Sequence, residues 1–409
     1  MRTTVSQKQR PFKFYATNIL GSFFPSKPHL SQQYLLDTAR ASTGLQDWGS
    51  DSFLEGMRVL LDSCSREARL HYFGRTLLQK SCIRSLKDRL RLKKAVTDNP
   101  DILNTPIVEP LFILGLPRTG TTLLQNLFFR DVRFRHLHYW EQLAIGPQPT
   151  PDNLQDNYII DSGSAFINKL KNIAPEFFIA HEILPRGPEE CNGLMERDFS
   201  SIIYIMLRNI PTYVEWFQKR NMTPTYEFHR FQLQYLGYHF KGKRWVLKAP
   251  VHLLFLKHLF EVYPDARIIQ LHRDPLKAIP SMCSLVAISR AIHSNHVNIT
   301  ETAKQLMDLM SLNIKRSIAY REAIAPGQIL DISFSELVKN TMATMNRIYT
   351  WLGVDFIPET ETAMSSWLQQ SRQKRAGKPH QYSLQQFGFN ETRIQDFFAQ
   401  YYERYADYL

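Results

Sequence analysis

From Phe53 to Lys94 the apolar residues return at helical spacing. Leu54, Met57, Leu60, Leu61 and Cys64 recur along one face, and Leu86, Leu90 and Leu92 extend the pattern until Asn99-Pro100 breaks it. Residues 1–104 therefore read as an N-terminal helical region. At Pro110 the texture changes. Leu111-Phe112-Ile113-Leu114 is a short, unbroken apolar run that ends on glycine, as a strand buried in a parallel sheet does. Comparable runs stand at Trp245-Val246-Leu247, at Ala266 to Leu271 and at Ile329 to Ile332, each followed by helix-like sequence. Strands alternating with helices predict an α/β domain over 105–409, with helices on both faces of a parallel sheet. Between the first two runs strand signals are few and aromatic residues many, so 145–240 reads as a largely helical insertion over the site.

The turn after the first run carries the chemistry. Gly115-Leu116-Pro117-Arg118-Thr119-Gly120-Thr121-Thr122 follows a strand and precedes the helix-like Leu123-Leu124-Gln125-Asn126-Leu127. A glycine-bearing turn entering a helix aims several backbone N–H groups at one point, and the helix dipole adds positive character there. Pro117 fixes one bend, and the glycines let the chain pass close to an anion. The spacing of Gly115 and Gly120 is that of a phosphate-binding P-loop, but Thr121 stands where that motif has lysine. The main cation for a nucleoside triphosphate is thus missing. Arg118 offers a planar fork suited to a phosphate or a sulfonate instead. The fold expected is a P-loop-like parallel β-sheet flanked by helices.

Net charge is +12, from 50 basic and 38 acidic residues, which suits an anionic partner without choosing among a nucleotide, a nucleic acid and a membrane surface. No nucleic-acid motif accompanies the charge. The densest basic cluster, Arg84 to Lys94, falls in a helical pattern and reads as a solvated face. Cys64, Cys82, Cys191 and Cys283 lie far apart, which suggests neither a metal site nor a disulfide framework and favours a reducing compartment. The sequence shows no membrane-spanning run and no secretory signal, so the expectation is a soluble, cytoplasmic protein. The aromatic stretch Phe12 to Phe24 reads as tucking onto the body of the protein, with contact to a membrane surface as the alternative.

Leu116 to Leu123 resembles the loop of sulfotransferases that use 3′-phosphoadenosine-5′-phosphosulfate (PAPS). It is closest to the branch with Pro-Arg-Ser/Thr-Gly-Thr-Thr, shared by tyrosylprotein sulfotransferases and a group of bacterial enzymes. The resemblance implies that Pro117, Arg118, Thr119, Gly120, Thr121 and Thr122 bind the 5′-phosphosulfate end. A second block agrees. Tyr263-Pro264-Asp265-Ala266, running through Leu271-His272-Arg273-Asp274-Pro275, is similar to the family's strand and turn, and Ser281 follows Arg273 by eight residues. In the family an arginine and a serine so spaced hold the 3′-phosphate. A third piece, Leu247-Lys248-Ala249-Pro250, matches a strand end whose lysine approaches the bridging oxygen. The alternative for Lys248 is a strand-end lysine reaching solvent. Near the end, Lys378-Pro379-His380-Gln381-Tyr382 and Phe387-Gly388-Phe389 resemble the bacterial group's tail, and Lys374, Arg375 and Lys378 are candidates to cover the nucleotide. The likeness runs from Pro110 to Tyr402 and weakens over 145–240, the segment expected to cover the acceptor.

Sulfonate transfer is an in-line displacement in which an acceptor hydroxyl attacks sulfur. Cations must meet the charge growing on the leaving oxygen, and a base should take the hydroxyl proton. Arg118 and Lys248 suit the first role, with no metal required. The branch resembled here places a glutamate at a similar distance beyond the loop arginine, and Glu141 stands 23 residues past Arg118. Cytosolic members use histidine, so His138, His181 and His252 are the rivals. Glu182, Glu189 and Glu190 form a charged stretch that suits either the acceptor or a solvated loop. Phe177, Phe178, Tyr204, Tyr213, Trp216 and Phe217 suit an apolar or ring-bearing alcohol, such as a lipid or small molecule, or equally a packed core. The competing functions are a nucleotide-binding P-loop kinase or hydrolase, and an inactive module that binds PAP, the desulfated nucleotide.

Overall fold

The computed structural model describes residues 10–23, 28–180, 182–374 and 383–409. Helices α1 (Phe12–Phe23), α2 (Gln32–Thr43), α3 (Phe53–Arg66) and α4 (Tyr72–Asp98) come first. Strand β1 (Leu111–Gly115), helix α5 (Thr121–Phe128) and strand β2 (Phe134–His136) follow. Next come α6 (Tyr139–Leu143), α7 (Tyr158–Ile173), α8 (Pro175–Ala180), α9 (Asn192–Glu196), α10 (Ile202–Leu207), α11 (Pro211–Lys219) and α12 (Thr223–Gly237). Then β3 (Arg244–Lys248), α13 (Leu256–Val262), β4 (Arg267–His272), α14 (Pro275–Ala291), α15 (Ile299–Arg321) and β5 (Ile329–Ser333). The chain closes with α16 (Phe334–Lys339), α17 (Thr341–Leu352), α18 (Pro358–Lys374), α19 (Glu391–Phe397) and α20 (Ala399–Arg404).

These elements form two compact units. One comprises Met1–Pro106, His138–Lys241 and Leu285–Thr302; the other comprises Ile107–Leu137, Gly242–Ser284 and Ala303–Leu409.

The second unit holds the sheet. Its five strands are parallel in the order β2-β3-β1-β4-β5. The central strand β1 is buried along its whole length, which is why its sequence shows no alternation. Leu111 and Ile113 face Leu124, Leu127 and Phe128 of α5 and Ile348 and Tyr349 of α17 in one apolar cluster. Phe128 and Tyr349 stack there at 5.6 Å. Phe112 instead meets Tyr263 and His252 at 5.5 and 5.2 Å. The chain leaves β1 toward β2 on one side and leaves β4 toward β5 on the other. That reversal places the topological switch point at the carboxyl ends of β1 and β4, the position where such sheets bind ligands. All four strands expected from sequence are present. The fifth, β2, is three residues long and carries Arg135 and His136, so its pattern gives no apolar run.

The first unit is helical. In α3, Met57, Leu60, Leu61 and Cys64 are buried, as their spacing requires. His71 opens α4, its Nδ1 accepting the Gly74 N–H at 2.9 Å, and Asn99-Pro100 ends it. Within the basic run of α4, Arg84, Lys87, Arg91, Lys93 and Lys94 are exposed or half-exposed, as expected of a solvated face, and Arg89 departs from it. Arg89 is 1% exposed, sandwiched between the Phe53 and Phe228 rings at 4.2 and 4.1 Å. It donates to Asp198 Oδ1 at 3.2 Å and to the carbonyls of Arg197 and Ser50 at 3.1 Å. Burial pushes its pKa down to about 10. Of the aromatic middle, Tyr204, Tyr213 and Phe217 are wholly buried, and Tyr213 packs against both of the others, so these three build core. The four cysteines are free and buried.

Candidate active site

The loop from Gly115 to Gly120 owes its shape to backbone conformations that few residues accept. Gly115 has φ +152° and Gly120 φ +96°. A Cβ on Gly115 would stand 2.5 Å from Thr119 Oγ1 and 2.6 Å from the Leu271 carbonyl oxygen; one on Gly120 would meet the Phe334 ring at 2.7 Å. Both positions therefore require glycine. Thr119 folds the loop back on itself, its hydroxyl donating to the Leu116 carbonyl at 2.7 Å while its side chain is fully buried. Gly120 is the N-cap of α5, whose first intrahelical bond runs from Leu124 N–H to the Gly120 carbonyl. The earlier N–H groups of that turn point out of the helix end, together with the positive pole of its dipole. We expect Gly115→Ala to cost about 1–3 kcal/mol of stability, because the contacts it meets include backbone. Chemical unfolding measures the loss.

Pro117 is half-buried at the loop's bend. Arg118 is exposed, with φ +70°, Thr121 is buried and Thr122 is exposed. The neighbouring strand ends supply the other groups. Gly115 pairs with Leu271, and the chain continues through His272 to Arg273. His272 is held by Asp331 Oδ1 at 2.7 Å and by the Tyr401 hydroxyl at 3.1 Å, which fixes the end of β4. Burial lowers its pKa, although Asp331 opposes the shift. Arg273 then lies over the Phe334 ring at 4.2 Å and donates to the Arg118 carbonyl at 2.8 Å. Partial burial and the Arg118 charge both disfavour its protonated form, with Asp274 offsetting them. The two like charges oppose each other, so each suits an anionic partner. Asp274 caps α14 through the Leu276 N–H at 2.9 Å and is held by the Tyr402 hydroxyl at 2.7 Å. Ser281 lies half-buried farther along α14, next to the internal Pro280. Lys248 is the last residue of β3, beside Ile113, and is 1% exposed, so it does not reach into solvent.

Glu141 belongs to the helical unit and is fully buried. Only Leu137 and His138 separate the end of β2 from its helix α6. Five residues cannot hold a helix alone, and α6 is fastened at both ends. At its start, Glu141 Oε2 accepts the His138 N–H at 2.8 Å and lies 3.3 Å from His138 Nδ1, closing a capping box. Tyr139 and Trp140 donate to the carbonyls of Gly187 and Pro185 at 3.1 and 3.2 Å. At its end, Arg197 Nη2 donates to the carbonyls of Glu141 and Gln142, both at 3.0 Å. Arg197 Nε and the Ile145 N–H both go to Asp88, at 3.0 and 2.9 Å. Asp88 and Arg197 are each 1% exposed. Neither residue is signalled by sequence pattern; a buried ion pair leaves no periodicity, and Asp88 hides in the basic run.

Among the rivals, His138 is the cap of α6 and His252 is buried against Phe112. His181, Arg375 and Lys378 lie outside the described residues, as does the side chain of Lys374. Glu189 and Glu190 are half-buried and Glu182 is exposed. A groove of about 240 Å³ runs from the end of α6 along α7. Leu143, Ala144, Tyr158, Ile159, Gly163 and Phe166 line it, with Arg84 as its charged member. Among the described residues no group of three or more His, Cys, Asp or Glu could hold a metal ion. Nor is any described helix long and apolar enough to cross a membrane.

Residues 110–358, more than half of the chain, match the model of the sulfotransferase family. The chain belongs to that family. As a sulfotransferase it is similar over its length to two solved structures. Sulfotransferase STF9 of Mycobacterium avium has a TM-score of 0.83 and 27% identity, covering 93% of this chain and 98% of that one. Sulfotransferase STF1 of Mycobacterium tuberculosis H37Rv has a TM-score of 0.80 and 28% identity, covering 92% and 100%. Stf3 of Mycobacterium bovis, an omega-hydroxy-beta-dihydromenaquinone-9 sulfotransferase, is 24% identical over 315 residues, 75% of this chain and 78% of Stf3. The protein is therefore an enzyme of sulfonate transfer. Kinase and hydrolase readings of the loop fall away with that assignment.

Proposed function

We propose that this sulfotransferase takes its sulfonate from PAPS and delivers it to the hydroxyl of an apolar alcohol, with Glu141 as general base. The observation that carries the reading is the bond from Arg273 to the Arg118 carbonyl, which ties two guanidinium groups to one glycine loop. PAPS has anionic groups at both its 5′ and 3′ ends. Arg118, the loop and the start of α5 suit the phosphosulfate, and Arg273 with Ser281 suits the 3′-phosphate. When bound, PAPS supplies an activated sulfonate on a nucleotide leaving group.

Lys248 and Arg118 would meet the charge growing on the leaving oxygen, and burial strengthens the effect of the lysine. Glu141 would accept the hydroxyl proton, with His138 and Arg197 fixing its position. The groove beside α6 is the acceptor's place in this reading, and its lining favours a hydrocarbon tail or a ring. Stf3 acts, by its name, on a hydroxylated menaquinone derivative, which is of that class. Lys378 stands in this reading as a cover for the nucleotide. The compartment proposed is the cytoplasm.

Thermal shift with PAP, PAPS, ATP and GTP tests the donor. PAP at about a hundred times its Kd should add about 2.7 kcal/mol to stability, whereas ATP with Mg²⁺ should add little. Preference for ATP with Mg²⁺ would overturn the reading.

A further inference from the structure

Helix α1 has two faces. On one, Phe14 meets His71 and Phe73 edge-on at 5.4 Å, and Asn18 Oδ1 accepts the Phe73 N–H at 2.9 Å. Gly21 sits against the Tyr72 ring, so close that a Cβ would overlap it. The other face is apolar and in water. Phe12, Leu20 and Phe23 leave 84%, 61% and 80% of their surface exposed, and Ile19 leaves 58%. These positions, with the exposed Tyr15, follow the i, i+3, i+7, i+8, i+11 spacing of a single helical stripe. A stripe of that size marks an interaction surface.

Charge identifies what covers it. No Asp or Glu precedes Asp37, whereas Arg2, Lys8, Arg10, Lys13 and Lys27 all do. Arg10 is taken up by the protein itself: it is buried and lies over the Phe14 ring at 4.7 Å, and burial lowers its pKa with Glu176 of α8 opposing the shift. The other four flank or interrupt the apolar stripe in sequence. A second copy of the chain would set these cations against themselves, whereas an anionic lipid surface complements both the charge and the stripe. We propose that α1 is a membrane-docking helix that lies in the headgroup layer of an anionic bilayer with Phe12, Leu20 and Phe23 toward the acyl chains. The cations, whose attraction reaches across a Debye length, draw the protein in, and the apolar side chains hold it. The proposal uses no residue of the Gly115 to Thr122 loop and does not depend on the identity of the donor.

The test is co-sedimentation of the full chain with vesicles of phosphatidylglycerol and phosphatidylcholine mixed, against phosphatidylcholine alone. The protein should bind the anionic vesicles more tightly, and raised salt should weaken binding. The double substitution Leu20→Glu, Phe23→Glu should weaken it by at least about tenfold, since it removes two apolar anchors and adds two anions. Both sites are exposed, so the variant should keep its circular dichroism, its melting temperature and its activity on a water-soluble acceptor. Absence of binding to anionic vesicles would overturn the proposal, as would equal binding by the variant. It would also be overturned if wild type formed dimers that the variant dispersed, with no lipid dependence, which would assign the stripe to a second copy.

Discussion

Glu141→Gln should slow sulfonate transfer by about 10²–10⁴-fold, the contribution typical of a positioned general base, while PAP still stabilises the protein as in wild type. The substitution is a clean one because of the way α6 is built. Glutamine keeps a carbonyl oxygen where Glu141 Oε2 accepts the His138 N–H, so the capping box survives and only proton affinity is lost. Steady-state rates with saturating donor, read beside the PAP thermal shift, separate chemistry from binding. Full activity in this variant would move the base to His138 or His252 and leave Glu141 a structural cap.

Asp88→Ala should cost about 3–5 kcal/mol of stability, the loss expected when one member of a buried ion pair is removed and Arg197 is left without its partner carboxylate. Urea denaturation measures it. A second variant distinguishes stability from placement. Replacing both residues, Asp88→Leu with Arg197→Met, removes the stranded charge and should recover much of the lost stability. It should not recover activity, because the carbonyls of Glu141 and Gln142 and the Ile145 N–H then have no clamp. Recovery of both together would show that the pair only fills space.

The two variants also mark what a reader of the sequence can and cannot see. Strands β1, β3 and β4 are legible because they are buried along nearly all of their length and so are mostly apolar, whereas β5, a half-buried edge strand, is legible only through Ile329, Leu330 and Ile332. The glycine loop is legible because its geometry demands glycine at Gly115 and Gly120, whatever surrounds them. Pairings made over long stretches of chain are not legible. Asp88 and Arg197 stand 109 positions apart, and their burial was hidden by a charged run that resembles any solvated helix. Arg89 misleads for the same reason: its stack between Phe53 and Phe228 is a product of tertiary packing alone. Strand β2 escapes notice because an edge strand of three residues needs only one neighbour and tolerates Arg135 and His136. The aromatic middle announces burial, but Tyr204, Tyr213 and Phe217 turn out to face one another, and the groove is lined instead by the less conspicuous Leu143, Ala144 and Gly163.

One property of the loop bears on how the enzyme came to be tuned. Arg118 is held at φ +70°, in the left-handed region that costs a residue with a side chain about 1–2 kcal/mol and costs glycine almost nothing. A sequence selected only for stability would place glycine there. Under the donor-binding role proposed for Arg118, the turn carries a standing strain for the sake of that charge, and stability and turnover would pull on this position in opposite directions. Heat-tolerant variants found by stability screening alone should therefore tend to erode position 118 first, and any effort to harden the enzyme must hold that residue fixed.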